Sequence, residues 1–249
     1  MLRQTSSHQG KRTIEYLLGL LTLLTSMVAA TIGFGGGMLL ITVFPSFLSP
    51  NLIIPVYGVV QLASNVSRML FSLKYVQWVL LPKFLVGSIV GTLSIGYGLS
   101  YIPIDYIPLA IGIYILLNLW SSRFSIFISR YESYYLIGFL QTGLGLVVGA
   151  TGPLALNVLT KQLKSKDSII ATSSLFMTIS HLAKIPVYLT VTASLLTDLN
   201  LIIYMIIGAV LGSFLGTRLR LRSNNERMIQ IIKVLLSLFA VKMIVQGVI

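Results

Sequence analysis

Apolar runs long enough to cross a lipid bilayer recur from one end of this chain to the other. They fall at 14–48, 52–73, 78–99, 103–121, 134–160, 169–192, 199–219 and 228–248. A helix needs about 20 consecutive apolar residues to span the hydrocarbon layer, and a soluble core has no place for eight such runs. Charge agrees: 10% of the 249 residues are charged and the mean hydropathy is +0.91, where a soluble domain carries about 25% charged residues. The expected fold is an all-α polytopic membrane protein with short connections and no soluble domain. The absence of cysteine removes disulfides, thiolate metal sites and cysteine nucleophiles. The start, "MLRQTSSHQGKRTIEY", is polar and basic and runs into an apolar segment with no small-residue cleavage site, so residues 1–13 read as a retained tail.

The first and fifth runs are unusually long and are interrupted by glycine. In "IGFGGGMLL" (Ile32–Leu40), Gly33, Gly35, Gly36 and Gly37 crowd five positions. Each glycine inside a helix is roughly 1 kcal/mol worse than alanine, so the helix should break there. In "VGATGPLAL" (Val148–Leu156), Pro153 follows Thr151-Gly152. Proline favours the first helical turn, so a new helix is expected to start there.

The two interruptions align. Gly33 falls on Gly149, Gly36 on Gly152 and Leu40 on Leu156, all 116 residues apart. The same offset pairs Ser64 with Ser180, Asn65 with His181 and Arg68 with Lys184; at 121 residues, Gly87 and Gly91 meet Gly208 and Gly212. The chain therefore reads as two copies of a four-segment unit, residues 14–121 and 134–249, joined by a linker at 122–133. The GxxxG-spaced glycines of the second set are read as helix-packing positions.

Charge orients the copies. Basic residues collect in the connections 74–77, 122–133, 161–168 and 218–227, while 49–51, 100–105 and 193–198 hold none. Cytoplasmic loops gather Lys and Arg. Eight plain crossings would put 161–168 and 218–227 outside. If the fifth segment instead enters, turns at Gly149–Gly152 and returns, all four basic connections lie inside. The repeat then makes the first segment a hairpin from the opposite face, and the halves inverted. That places Arg3, Lys11 and Arg12 outside, so the side of the tail stays open, as does the alternative in which the first segment crosses fully.

Broken backbone at membrane depth must be buried in protein or line a wet cavity. The exposed helix N-termini carry partial positive charge and bind anions. Ionisable residues within a membrane segment mark functional sites by default. "SNVSR" (Ser64–Arg68) and "SHLAK" (Ser180–Lys184) place a cation three residues after Asn65 or His181, on one helix face. The competing reading is that both cations snorkel to an interface. His181, ordinarily titrating near pH 6.5, is a proton-coupling candidate; a purely structural hydrogen-bonding role stands beside it. The acids Glu15, Asp105, Glu132, Asp167, Asp198 and Glu226 all sit at segment ends or in loops. Cations without carboxylates at depth suit an anionic substrate. The candidate substrate-binding residues are thus Gly33, Gly35, Gly36, Gly37, Asn65, Arg68, Thr151, Gly152, His181 and Lys184, with Gln61, Gln141 and Asn157 as further polar positions along the path. No catalytic residue, metal site or cofactor is expected.

With its eight segments, its "GFGGGMLLITVFP" and weaker "GATGPLAL" breaks, and its "NVSR" and "HLAK" pair, the chain resembles the TauE/SafE family of bacterial membrane transporters, often called sulfite exporters. The pair looks like one branch of that family. The second break departs from the usual form, with Thr151 and Pro153 where glycines are common. The resemblance implies transport of small anions such as sulfite, sulfonates or related organosulfur compounds across the bacterial plasma membrane. A secondary transporter working by alternating access is the leading reading. An anion channel is the alternative, an intramembrane enzyme is weaker, and a scaffold is disfavoured by the short loops. The expected partners are a small anion and the lipid bilayer. Proton coupling and a homodimer are open, and nothing calls for nucleic acid.

Overall fold

The computed structural model describes residues 2–99, 101, 104–130, 132–191, 199–219 and 226–248. The 193–198 connection with Asp198, and Arg220 and Arg222, lie outside them. Among the described residues the fold is α-helical throughout, with a few short 3₁₀ turns. In chain order the helices are α1 (Leu2–Ile32), α2 (Gly36–Val43), α3 (Pro50–Phe71), α4 (Leu81–Leu99), α5 (Ile107–Trp120), α6 (Ser122–Arg130), α7 (Tyr134–Val148), α8 (Gly152–Gln162), α9 (Lys166–Val191), α10 (Leu199–Leu219) and α11 (Glu226–Val248). Both expected breaks are present, between α1 and α2 and between α7 and α8. The tail backbone continues α1 as helix, and the linker is largely α6.

Among the described residues, four helical stretches are long and apolar enough to cross a bilayer: Arg12–Ile32, Trp78–Gly98, Lys166–Tyr188 and Leu199–Leu219. Twenty-one residues at 1.5 Å each reach about 32 Å, matching the hydrocarbon thickness. Their outer faces carry large exposed apolar residues such as Leu20, Leu93, Ile203 and Phe214. In water such a belt would drive aggregation; in lipid it is the solvated face. Glu15 is buried in the first turns of its span.

Packing exchanges elements between the two halves of the chain. The principal partner of α1 is α10, and that of α7 is α4; α3 packs on α9 and α5 on α11. Glycine makes the first two contacts close. A Cβ on Gly87 would stand 1.9 Å from the Tyr135 carbonyl oxygen, and one on Gly208 2.2 Å from that of Gly19. These GxxxG positions therefore serve backbone approach, as small residues do between membrane helices. Hydroxyl clusters fasten the centre. Ser64 Oγ reaches Ser26 Oγ (3.1 Å) and Ser213 Oγ (3.3 Å). Thr142 Oγ1 reaches Ser88 Oγ (2.9 Å) and Ser180 Oγ (3.1 Å).

Both broken segments double back. Tyr134, opening α7, donates its hydroxyl to Gln162 Oε1 at 2.6 Å, at the end of α8. The fifth segment is thus a hairpin whose two ends meet. The backbone of Gln77 bonds Thr172 near the start of α9 (3.0 Å), so the connections 74–77, 122–133 and 161–168 gather at one end of the molecule. In the first segment, a Cβ on Gly36 would meet the Thr25 carbonyl oxygen and the Ala29 side chain, so α2 starts folded back along α1.

Candidate functional site

The break at Gly149 is a γ-turn. Gly149 has φ 74° and ψ −58°, and Ala150 N–H bonds Val148 O at 2.8 Å. A positive-φ γ-turn is rare and strained for residues with a Cβ, which is why glycine stands there. The first break uses two positive-φ glycines, Gly33 (102°) and Gly35 (88°). The second uses one, because Thr151, opposite Gly35 in the alignment, keeps φ −99°. The half-sites are alike in place and different in backbone path.

Each turn restarts a helix with no side-chain cap on its N-cap residue. Gly35 and Gly37 at the start of α2, and Gly152 and Pro153 at the start of α8, line one cavity with about 390 Å³ of empty space. The first N–H groups of a helix have no partner within it and carry the positive end of its dipole. At α8 two are satisfied, Leu154 N–H by Thr151 O and Ala155 N–H by Gln141 Oε1, each at 3.1 Å, and Pro153 carries none.

The polar wall comes from α3. Tyr57, Gln61, Asn65 and Arg68, spaced four, four and three residues apart, all line the cavity, since that spacing keeps one helix face. Arg68 is buried. Its Nη2 donates to Asn65 Oδ1 at 2.9 Å and its Nη1 to Ala29 O, in the last turn of α1, at 3.1 Å. Asn65 Nδ2 donates to Gln61 O at 2.7 Å. The guanidinium thus counters the carbonyl end of α1 and still faces the cavity. The Tyr57 hydroxyl is buried and has no hydrogen-bond partner among the described residues. Across the cavity, α9 presents Ser173 and Met177.

His181 and Lys184 lie off the cavity wall, packed against the other side of Tyr57. The Lys184 ammonium donates to Gly149 O at 2.6 Å, is 3.1 Å from His181 Nδ1, and lies 5.5 Å from the centre of the Tyr57 ring. The imidazole meets that ring edge-on at 5.4 Å. Both residues are fully enclosed, so neither snorkels. Arg68 on α3 and Lys184 on α9 therefore share a task, each holding a carbonyl at the break in its own half of the chain, but only Arg68 lines this cavity. Two further candidates stand back. Gly36 packs on Thr25 and Ala29, and Thr151 Oγ1 donates to Gln141 O at 2.7 Å. Gly33, Gly35, Gly37, Asn65, Arg68 and Gly152 line the cavity, as does Gln61.

Tyr57 and Ser173 escaped the sequence reading, although the signal existed. They occupy equivalent places at the 116-residue offset, and Tyr57 extends the Gln61–Asn65–Arg68 stripe by one turn. Neither is ionisable near neutrality, so a search for charges at depth passes over them.

The chemistry of the cavity is one-signed. A guanidinium, two helix starts, two amides and two hydroxyls converge, and no Asp or Glu is among the lining residues. In a low-dielectric setting that field favours a guest rich in negative oxygen.

The family model of the sulfite exporter TauE/SafE matches residues 18–243, nearly the whole chain. No curated protein and no solved structure matches it. With helices able to cross a membrane and a family made up of membrane transporters, the chain is a membrane transport protein and belongs to the TauE/SafE family.

Proposed function

We propose that the protein is a secondary transporter of the bacterial plasma membrane that carries a small oxyanion by alternating access. Sulfite, a sulfonate, or a related organosulfur or carboxylate anion is the substrate class. The observation that carries this reading is Arg68, buried yet lining a cavity into which two uncapped helix starts point. The anion binds between Gly35–Gly37 and Gly152, with Arg68 as counter-charge and Asn65, Gln61, Tyr57 and Ser173 supplying neutral hydrogen bonds.

The halves 14–121 and 134–249 act as inverted repeats joined by a cytoplasmic linker at 122–133. The exchange of packing partners, α1 with α10 and α7 with α4, supports this arrangement, as does the return of the fifth segment to the end where basic connections gather. Rocking of one hairpin unit against the other then exposes the midplane to each side in turn. Carrier behaviour, rather than an open channel, is supported by the packing behind Tyr57. Phe44, Ile41 and Ile54 there are fully buried.

The test is uptake into proteoliposomes of sulfite, sulfate, sulfoacetate, thiosulfate, acetate and chloride, by wild type, Arg68→Ala and His181→Gln, with and without a pH gradient. Saturable flux of one oxyanion, lost in Arg68→Ala, is expected. A pH-gradient dependence abolished in His181→Gln assigns proton coupling to that residue. Equal transport by wild type and Arg68→Ala overturns the central site.

A further inference from the structure

A second cavity adjoins the first. It holds about 560 Å³ of empty space and shares Phe34, Met38 and Pro153 with the central one, so those three side chains form the wall between them. Its polar lining is Asn118, Asn157 and Lys233. Lysine is the one charged residue in that lining, and the enclosed Asn118 amide lies against the buried Tyr114 hydroxyl one turn earlier on α5. These three come from separate helices and converge near one end of the molecule. Asn118 lies in the last turn of α5, before Arg123 and Arg130. Asn157 lies at the middle of α8, before Lys161, Lys164 and Lys166. Lys233 lies in the second turn of α11, after the 218–227 connection.

We propose that this cavity is a vestibule with its own anion subsite, through which the substrate reaches the central site from the face of the basic connections. Lys233 draws the anion in, Asn118 and Asn157 donate to its oxygens, and displacement of the Phe34–Met38–Pro153 wall passes it to Arg68. The inference rests on the anion-transport reading for what the vestibule serves, but its field can be measured without transport.

The absence of native cysteine makes that measurement direct. Asn157→Cys and, separately, Leu119→Cys, a second lining position, place a single thiol in the vestibule of the full chain. Each is reacted in membrane vesicles of either orientation with two membrane-impermeant methanethiosulfonates, the anionic sulfonatoethyl and the cationic trimethylammonioethyl reagent. Modification is expected from the basic-connection face only, with the sulfonate favoured. Lys233→Gln should lower the sulfonate-to-ammonium rate ratio about five-fold, the size of one partly screened charge, and Lys233→Arg should restore it. A ratio unmoved by Lys233→Gln overturns the subsite. Modification from the opposite face, or of neither thiol, overturns the vestibule. Failure of the central reading appears elsewhere, as transport indifferent to Arg68→Ala.

Discussion

Gly149 and Gly152 stand three residues apart in one break, and their alanine variants should fail in different ways. At Gly149 the γ-turn (φ 74°) is a sparsely populated conformation for any residue with a Cβ, at about 1–3 kcal/mol. The new methyl would also stand 2.3 Å from Ile41 Cδ1 and 3.0 Å from Ile54 Cδ1. Both isoleucines are fully buried, so overpacking adds about 1–3 kcal/mol. Gly149→Ala is therefore expected to lose about 2–6 kcal/mol. At roughly 2–4 °C of Tm per kcal/mol for a chain of this size, the fall is on the order of 4–24 °C in detergent. Gly152 opens α8 in helical conformation, and its added Cβ meets only the flexible Met177 side chain, at 3.2 Å from Sδ. Gly152→Ala should keep its Tm within a few degrees. Because Gly152 lines the cavity, the methyl should instead raise KM for the transported anion. The assay pairs thermal unfolding of purified variants with proteoliposome uptake. Equal loss of Tm in both variants would refute the argument that the γ-turn sets the break.

Two further outcomes follow from the geometry. Tyr57→Phe removes a hydroxyl that has no partner among the described residues, so Tm should hold or rise. The lost hydrogen bond to an anion, about 1.5–3 kcal/mol, should raise KM roughly ten- to a hundred-fold; an unchanged KM would remove the hydroxyl from the site. Gly87→Val drives a side chain into the Tyr135 carbonyl and should abolish monodisperse protein on size-exclusion chromatography, whereas Gly98→Val, with nothing within 4 Å of its Cβ, should elute as wild type.

The positions of the interruptions were legible because glycine runs and proline act through local backbone energetics, which need no tertiary partner. The 116-residue offset likewise exposed the α3 and α9 faces, since a repeat keeps polar residues in register. Treating Arg68 and Lys184 as equals at one site went further than the sequence could carry. Side-chain direction across a helix interface depends on what the neighbour offers. Arg68 finds the Ala29 carbonyl and keeps a face on the cavity. Lys184 finds the Gly149 carbonyl behind Tyr57.

The sequence by itself determined that the chain lives in lipid, where its helices break and which charges sit at depth, because hydropathy, glycine and proline speak residue by residue. Only the tertiary structure decided which half-site forms the cavity wall, that the fifth segment closes as a hairpin, and that a lysine of α11 stands beside asparagines of α5 and α8. Those juxtapositions join residues distant along the chain, and packing alone brings them together.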